Sequence, residues 1–348
     1  MSGGFDSTAS AILLSEQGYK VIGLTLKMVH ESFQSNTSYP YEEVDEARET
    51  AEQIGIEHHI LDVRTDFKKW VIDDFVNEYL SGRTPNPCIN CNIHIKWRFL
   101  SDKAAEYGCD QIATGHYARN IKENGYYVIH KAKDIQKDQS YFLWRLDQEV
   151  LSKTLFPLGN YKKSALNHLF NKSSIIKPRR KQESMEVCFI PGNNYREFIK
   201  HNNPKLTEKL KNGNFLDTSG KYLGKHKGYP FYTIGQRRGL EIAVGYPLYV
   251  LKIHPESNTI ILGSRDELYK KELTAKHAHF LTPGKYDEPF EAITKIRYNS
   301  QGEQSWIHPK EDDTIRIKFK KPVFAVTPGQ SAVFYDGDKL LGGAIISS

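Results

Sequence analysis

The chain has 348 residues, of which 39% are hydrophobic, 12% aromatic and 26% charged; single cores stop growing near roughly 250 to 300 residues, so two or three domains are expected. No apolar run approaches the roughly 20 residues of a membrane span, and Met1 to Asp6 lack the basic and apolar stretches of a secretory signal, so a soluble cytoplasmic protein without a membrane partner is expected. The net charge of +6, with local runs at Lys177 to Lys181 and Lys318 to Lys321, permits a polyanionic partner without requiring one.

From residue 8 the pattern alternates. Ala9, Ile12 and Leu13 mark a helix stopped at Gly18, and Val21 to Leu26 reads as a buried strand. Val44, Ala47, Ala51 and Ile54 recur at helical spacing, Ile56 to Val63 returns as a strand with Asp62 near its end, and a third helix is expected from about Phe67 to Leu80. After a loop over Thr84 to Asn92, Phe99, Leu100, Ala104 and Tyr107 mark a helix closed by Gly108, then a short strand over Gln111 to Thr114. Such alternation predicts an α/β fold with a mostly parallel, doubly wound sheet. Asn124-Gly125 signals a hairpin.

Near residue 200 helices give way to turns and short strands. Tyr246 to Ile253 and Thr259 to Leu262 read as strands in a small mixed domain. From Ala275, runs such as Ile315 to Phe319, Ser331 to Tyr335 and Leu341 to Ile346, with a hairpin at Asp336-Gly337, predict a β-barrel. The expected domains are 1–200, 201–270 and 271–348.

SGGFDS, residues 2 to 7, sets two glycines and two hydroxyls before an apolar helix, which suits a phosphate cradle because backbone N–H groups converge where the helix field favours an anion. A Gly-rich terminus with an ordinary N-cap is the plainer reading. The segment resembles the SGGxDS loop of the PP-loop ATP pyrophosphatases, which cleave ATP to AMP and pyrophosphate and adenylate a carbonyl oxygen. That resemblance gives the phosphates to Ser2, Gly3, Gly4 and Ser7, a Mg²⁺-related role to Asp6, and the edge of the adenine to Leu26. Relatives carry an apolar strand before this loop, whereas this sequence begins at the loop, so a sheet without its first strand and weakened ATP binding are expected.

TPNPCINCN, residues 84 to 92, has two stiffening prolines and two cysteines three apart, ahead of a helix expected from about His94 whose N-terminus would lower a thiol pKa. Half of a zinc site or a redox pair are the competing readings. Cys188, in KQESMEVCFI, taken alone reads as a core cysteine, and Cys109 as a core thiol. PNPCINCN, ATGHYAR (113 to 119), KDQSYFL (137 to 143), ESMEVCFI and YTIGQRRGL (232 to 240) occur in the order found in the bacterial tRNA-specific 2-thiouridylases, and the resemblance runs the length of the chain.

That resemblance implies ATP-dependent conversion of a tRNA wobble uridine to 2-thiouridine, with Cys91 as the nucleophile and Cys188 carrying a persulfide. Many members have Asp where Cys88 stands, so the choice between Cys88 and Cys91 stays open. An iron–sulfur cluster held by Cys88, Cys91 and Cys188 is the alternative to a persulfide. Gly115 would approach the nucleotide and His116 the base. Contacts to tRNA are implied for Asn86, Pro87, Cys88, Lys137, Asp138, Gln139, Arg297, Tyr298 and Gln330. The expected partners are tRNAs for glutamate, lysine and glutamine, and a cysteine desulfurase or sulfur-relay protein. HKGYPFYTIGQRRGL, residues 226 to 240, interleaves cations with aromatics, reading equally as an RNA surface or as an aromatic core with a basic edge. Other PP-loop chemistry, such as amidation, and a non-catalytic tRNA-binding relic are the competing functions.

Overall fold

The computed structural model describes residues 1–29, 39–172, 187–190, 192, 194–283, 286, 288–310 and 313–348. The chain divides into two compact units, one of Met1–Ile72, Cys88–Pro191 and Asp338–Leu341, the other of Asp73–Pro87, Gly192–Gly337 and Gly342–Ser348. Among the described residues no helix is long and apolar enough to cross a membrane.

The first unit opens with helix α1 (Phe5–Glu16), strand β1 (Ile22–Lys27), helix α2 (Tyr39–Ile54) and strand β2 (Glu57–Asp62), with β1 and β2 parallel from Ile22↔Glu57 to Lys27↔Asp62. The apolar stripe of α1 explains its place: Ala9, Ile12 and Leu13 are buried against Tyr117, Leu158, Leu166 and Phe170. Strand β3 (Ile112–Ala113) pairs in parallel with β6 (Thr154–Leu155). Among the described residues the parallel sheet thus consists of two separate two-stranded pieces, since no strand bridges β1–β2 and β3–β6. Between β3 and β6, β4 (Ala118–Glu123) and β5 (Tyr126–Lys131) form the expected hairpin; Asn124 and Gly125 both take positive φ, 49° and 88°, as a tight primed turn demands.

The third predicted helix is three consecutive segments, Arg64–Phe67, a π-helical stretch Lys68–Ile72, and Asp73–Leu80; the last belongs to the second unit. There Phe75 meets Phe198 edge-on and Tyr79 stacks on Tyr195 with centroids 4.9 Å apart. A second four-stranded sheet, order β8-β7-β10-β9, is made of β7 (Gly213–Leu216), β8 (Tyr222–His226), β9 (Tyr249–His254) and β10 (Thr259–Gly263). The remaining strands are β11 (Tyr269–Phe280), β12 (Phe290–Lys295), β13 (Glu303–Pro309), β14 (Thr314–Phe324), β15 (Ser331–Asp336) and β16 (Lys339–Ile346). Their order is β11-β14-β13-β12-β15-β16, and β16 pairs back onto β11 through Ala275↔Ile346 and Phe280↔Gly342, closing the expected barrel. Alternation in β14 shows why it closes: Ile315, Ile317 and Phe319 are buried while Arg316, Lys318 and Lys320 face out.

Candidate active site

At the start of α1 the loop carries its own scaffold. Ser2 Oγ and Ser7 Oγ lie 3.2 Å apart, the Ser2 N–H points to Ser7 Oγ, and Ser7 Oγ and Thr8 Oγ1 donate to the Gly4 carbonyl at 3.0 and 2.9 Å. Gly3 has φ +67°, and a Cβ there would come within 2.9 Å of Ala47 N and Glu46 Cβ on α2, so both its backbone angle and its surroundings require glycine. Gly115 abuts the same turn: a Cβ on it would sit 3.2 Å from Ser7 N. Leu26, half-buried near the end of β1, is paired with Leu61.

Asp6 is already engaged. Its Oδ1 accepts the Tyr117 hydroxyl at 2.8 Å and its Oδ2 accepts Lys163 Nζ at 2.9 Å. Both oxygens thus accept hydrogen bonds, one of them from a cation, and each keeps a lone pair with which Asp6 would meet a Mg²⁺ ion. Neither Tyr117 nor Lys163 was singled out by the sequence. Lys163 lies far along the chain in a stretch without motif or periodicity, so only the fold reveals it.

The expected helix after the cysteines begins earlier than predicted. Pro87–Asn90 is helical, Cys91–Trp97 continues as a π-helix, and Arg98–Glu106 completes the run. Proline opens it because its missing N–H costs nothing in a first turn. Both cysteines therefore lie within helix, and the expected lowering of their pKa is not what the structure gives. Cys91 is 6% exposed, and burial pushes its thiol up to about 11, against the pull of Lys96 and with a further push from Cys88. Cys88 is exposed at its own surface, yet the protein massed around it also raises its thiol, again opposed by Lys96; access to water tempers that rise. Lys96, half-buried on the same helix, is the second residue the sequence reading missed, and its field also reaches His116.

Asn92 is buried and donates to the Phe142 carbonyl at 2.8 Å, tying the thiol helix to the Lys137 to Leu143 segment. Cys188 is exposed rather than a core residue, while the next two side chains, Phe189 and Ile190, are buried and Phe189 meets Phe67 edge-on at 5.5 Å. Residues 181 to 186 of its motif, and the Lys177 to Lys181 run, lie outside the described residues. No disulfide joins the four cysteines, and Cys109 is half-buried. Among the described residues no three His, Cys, Asp or Glu side chains come together as a metal-holding group.

His116 stacks on Trp97 with centroids 5.4 Å apart, and its Nδ1 lies 2.9 Å from Thr114 Oγ1. Burial, reinforced by Lys96, holds its pKa well below the usual histidine range, so the ring is neutral and suited to hydrogen bonding rather than charge pairing. Asp138 is 7% exposed, and its carboxylate accepts from Ala132 N at 3.0 Å and from the Ser140 N–H and hydroxyl at 3.3 and 2.8 Å. These bonds shape the turn. Gln139 Oε1 accepts from Tyr117 N at 3.0 Å, and Lys137 is half-buried beside it.

In the second unit Gln330 Nε2 donates to the Thr84 and Pro85 carbonyls at 2.9 and 3.0 Å, and Thr84 N donates to the Pro328 carbonyl at 2.8 Å. The loop bearing Asn86 and Pro87 is therefore clamped by the Thr327 to Gln330 turn. Arg297 supports that turn, donating to Thr327 Oγ1 at 2.8 Å and to the Ala325 carbonyl; Tyr298 lies under Lys295. In residues 226 to 240 the two readings divide by residue type: Tyr229, Phe231 and Tyr232 are buried, and Lys227, Arg237 and Arg238 are exposed.

Residues 1–192 match the family described as a tRNA methyl transferase HUP domain, 196–264 a PRC-barrel domain of the same group, and 270–346 an aminomethyltransferase beta-barrel domain. Proteins named tRNA-specific 2-thiouridylase are similar along the whole chain. The Halothermothrix orenii protein is 46% identical over 357 residues, covering 99% of this chain and 97% of its own. The Clostridium acetobutylicum protein is 45% identical over 350 residues, with 99% and 98% covered. The Amoebophilus asiaticus protein is 43% identical, with 100% and 94% covered. The chain belongs to the tRNA-specific 2-thiouridylase family. Membership accounts for a nucleotide-type α/β unit and two β domains in one chain, and it bears out the resemblance read from the cysteine and Gly-rich motifs.

Proposed function

We propose that this chain is an ATP-dependent tRNA 2-thiouridylase acting on uridine 34. The observation that carries the reading is the coexistence, in one compact unit, of a phosphate-loop geometry at α1 and a helix bearing two thiols three residues apart. Ser2, Gly3, Gly4 and Ser7 would receive the ATP phosphates, with Gly115 and Leu26 bordering the nucleotide. Adenylation turns O2 of uracil into a leaving group, because a carbonyl oxygen does not depart unaided. The terminal sulfur of a Cys188 persulfide attacks C2, AMP leaves, and a thiolate from the Cys88/Cys91 pair attacks Cys188 Sγ. That last step forms a disulfide and releases the base with its sulfur. We assign the attacking thiol to Cys91 on the family motif, and contacts to the tRNA to Asn86, Pro87, Cys88, His116, Lys137, Asp138, Gln139, Arg297, Tyr298 and Gln330. A cysteine desulfurase or relay protein in the cytoplasm would charge Cys188. Parts 1–200, 201–270 and 271–348 would divide this labour, the first holding ATP and the thiols and the other two the tRNA.

The test is incubation with ATP, Mg²⁺, uridine-34 tRNA and a cysteine desulfurase with cysteine as the source of persulfide sulfur, followed by nucleoside mass spectrometry. Formation of 2-thiouridine with AMP supports the reading, and AMP formation without a thiolated base would reduce the chain to an adenylating enzyme. Cys188→Ser is expected to abolish thiolation and leave adenylation.

A further inference from the structure

The barrel carries a surface that the thiolation chemistry does not use. Trp306 on β13 is 47% exposed, a large apolar ring on the outside of a closed barrel. Strand pairing sets it directly beside Lys318 of β14 and Glu291 of β12. On the same outward face β14 presents Arg316, Lys318 and Lys320, successive cations two residues and so about 6.7 Å apart. His308, opposite Arg316 in the register, lies beside the Trp306 ring with centroids 6.4 Å apart. Lys276 of β11, exposed, lies opposite Thr314. Among the described residues the carboxylates beside these cations are Glu272, held by Arg316 at 2.5 and 2.8 Å, and Glu291. Lys320 reaches only the neutral Gln304, at 3.1 Å. Among the described residues, Lys318 and Lys320 thus flank one exposed aromatic plane while Glu272 is already taken by Arg316.

We propose that this outer face, Trp306 with Lys318, Lys320 and Arg316, is a second RNA contact of the enzyme, on which an unpaired base of the tRNA stacks while the lysines take the adjoining phosphates. The chemistry favours RNA over an acidic protein for two reasons. A tryptophan flanked by cations supplies a stacking plane and phosphate partners together, which is the pairing unstacked nucleotides require. The family substrate is moreover a polyanion far larger than the one base being modified. Stacking does not read sequence, so the face would add affinity without choosing among tRNAs. The inference rests on the proposed tRNA substrate.

The experiment compares binding of full-length tRNA by the whole protein as a function of salt, and steady-state thiolation, for wild type, Trp306→Ala, Trp306→Phe and Lys318→Glu/Lys320→Glu. Trp306→Ala is expected to weaken binding about tenfold, the usual scale for one stacked base, and Trp306→Phe to restore most of it. The double charge reversal is expected to flatten the logarithmic salt dependence by about 1 to 2. KM for tRNA should rise with kcat unchanged, which a merely folding defect would not produce. Unchanged tRNA affinity in both Trp306→Ala and the double variant overturns the proposal, including the case where those variants instead lose an acidic protein partner. A wild-type protein that binds no tRNA would refute the tRNA reading itself, a separate outcome visible before any variant is made.

Discussion

The thiol pair gives the sharpest quantitative expectation. Cys88 and Cys91 sit three residues apart under the same cation, Lys96, but Cys91 is buried and its thiol rises from an ordinary 9.0 to about 11. Each unit is a factor of ten in thiolate fraction, so at pH 8 Cys91 should hold about a hundredfold less thiolate than an ordinary cysteine, before any steric protection is counted. Iodoacetamide alkylation followed site by site by peptide mass spectrometry reads this out. Cys88 is expected to label at least tenfold faster at pH 8, and the Cys91 rate to climb about tenfold per pH unit to pH 10 without a plateau. Lys96→Met removes the cation that opposes burial at both thiols and should slow both. A Cys91 that labels as fast as Cys88, or whose rate levels off below pH 9, refutes the argument from burial.

Gly3→Ala places a Cβ 2.9 Å from α2 at a φ of +67°, a strain of about 2 to 4 kcal/mol that should appear as a lowered melting temperature and lost ATP binding. Gln330→Ala removes two donors to the Thr84 and Pro85 carbonyls; tryptic cleavage after Arg83 should quicken, at a cost of about 1 to 2 kcal/mol of local stability. His226 is 2% exposed, and burial lowers its pKa from 6.5 to about 4. The unfolded chain thus binds the proton first. Stability from this group is complete above about pH 6.5 and declines as pH falls toward 4, by up to about 3 kcal/mol. Chemical denaturation between pH 7 and 4.5 should show that loss, and His226→Gln should remove it.

Periodicity and turn chemistry made most of the elements legible. The stripe of Ala9, Ile12 and Leu13, the Asn124-Gly125 hairpin and the alternation through Ile315, Ile317 and Phe319 each rest on local rules, and each forms as read. The sequence could not show that Asp73–Pro87 packs with the later unit, because that depends on long-range partners such as Phe198 and Tyr195. The site was readable where function sits in short motifs and unreadable where it rests on distant charges. Lys163 on Asp6 and Lys96 near the thiols are both ordinary lysines in one dimension. Asp138, read only as an implied tRNA contact, is also a buried carboxylate that accepts from Ala132 N and from Ser140, a role no local rule signals.

Burial of one thiol and exposure of its neighbour bear on the order of events. On the proposed persulfide route the resolving thiol must not react before the base has received its sulfur, since an early attack would discharge Cys188 unproductively. A Cys91 that is both covered and little ionised meets that need, and exposed Cys88 and Cys188 are left to meet incoming sulfur and substrate. On this argument substrate binding must uncover Cys91. Its alkylation should therefore accelerate when tRNA and a non-hydrolysable ATP analogue are bound, while that of Cys88, a proposed tRNA contact, should slow. If bound substrate protects both thiols equally, the resolving role passes to Cys88, the one thiol of the pair already in reach.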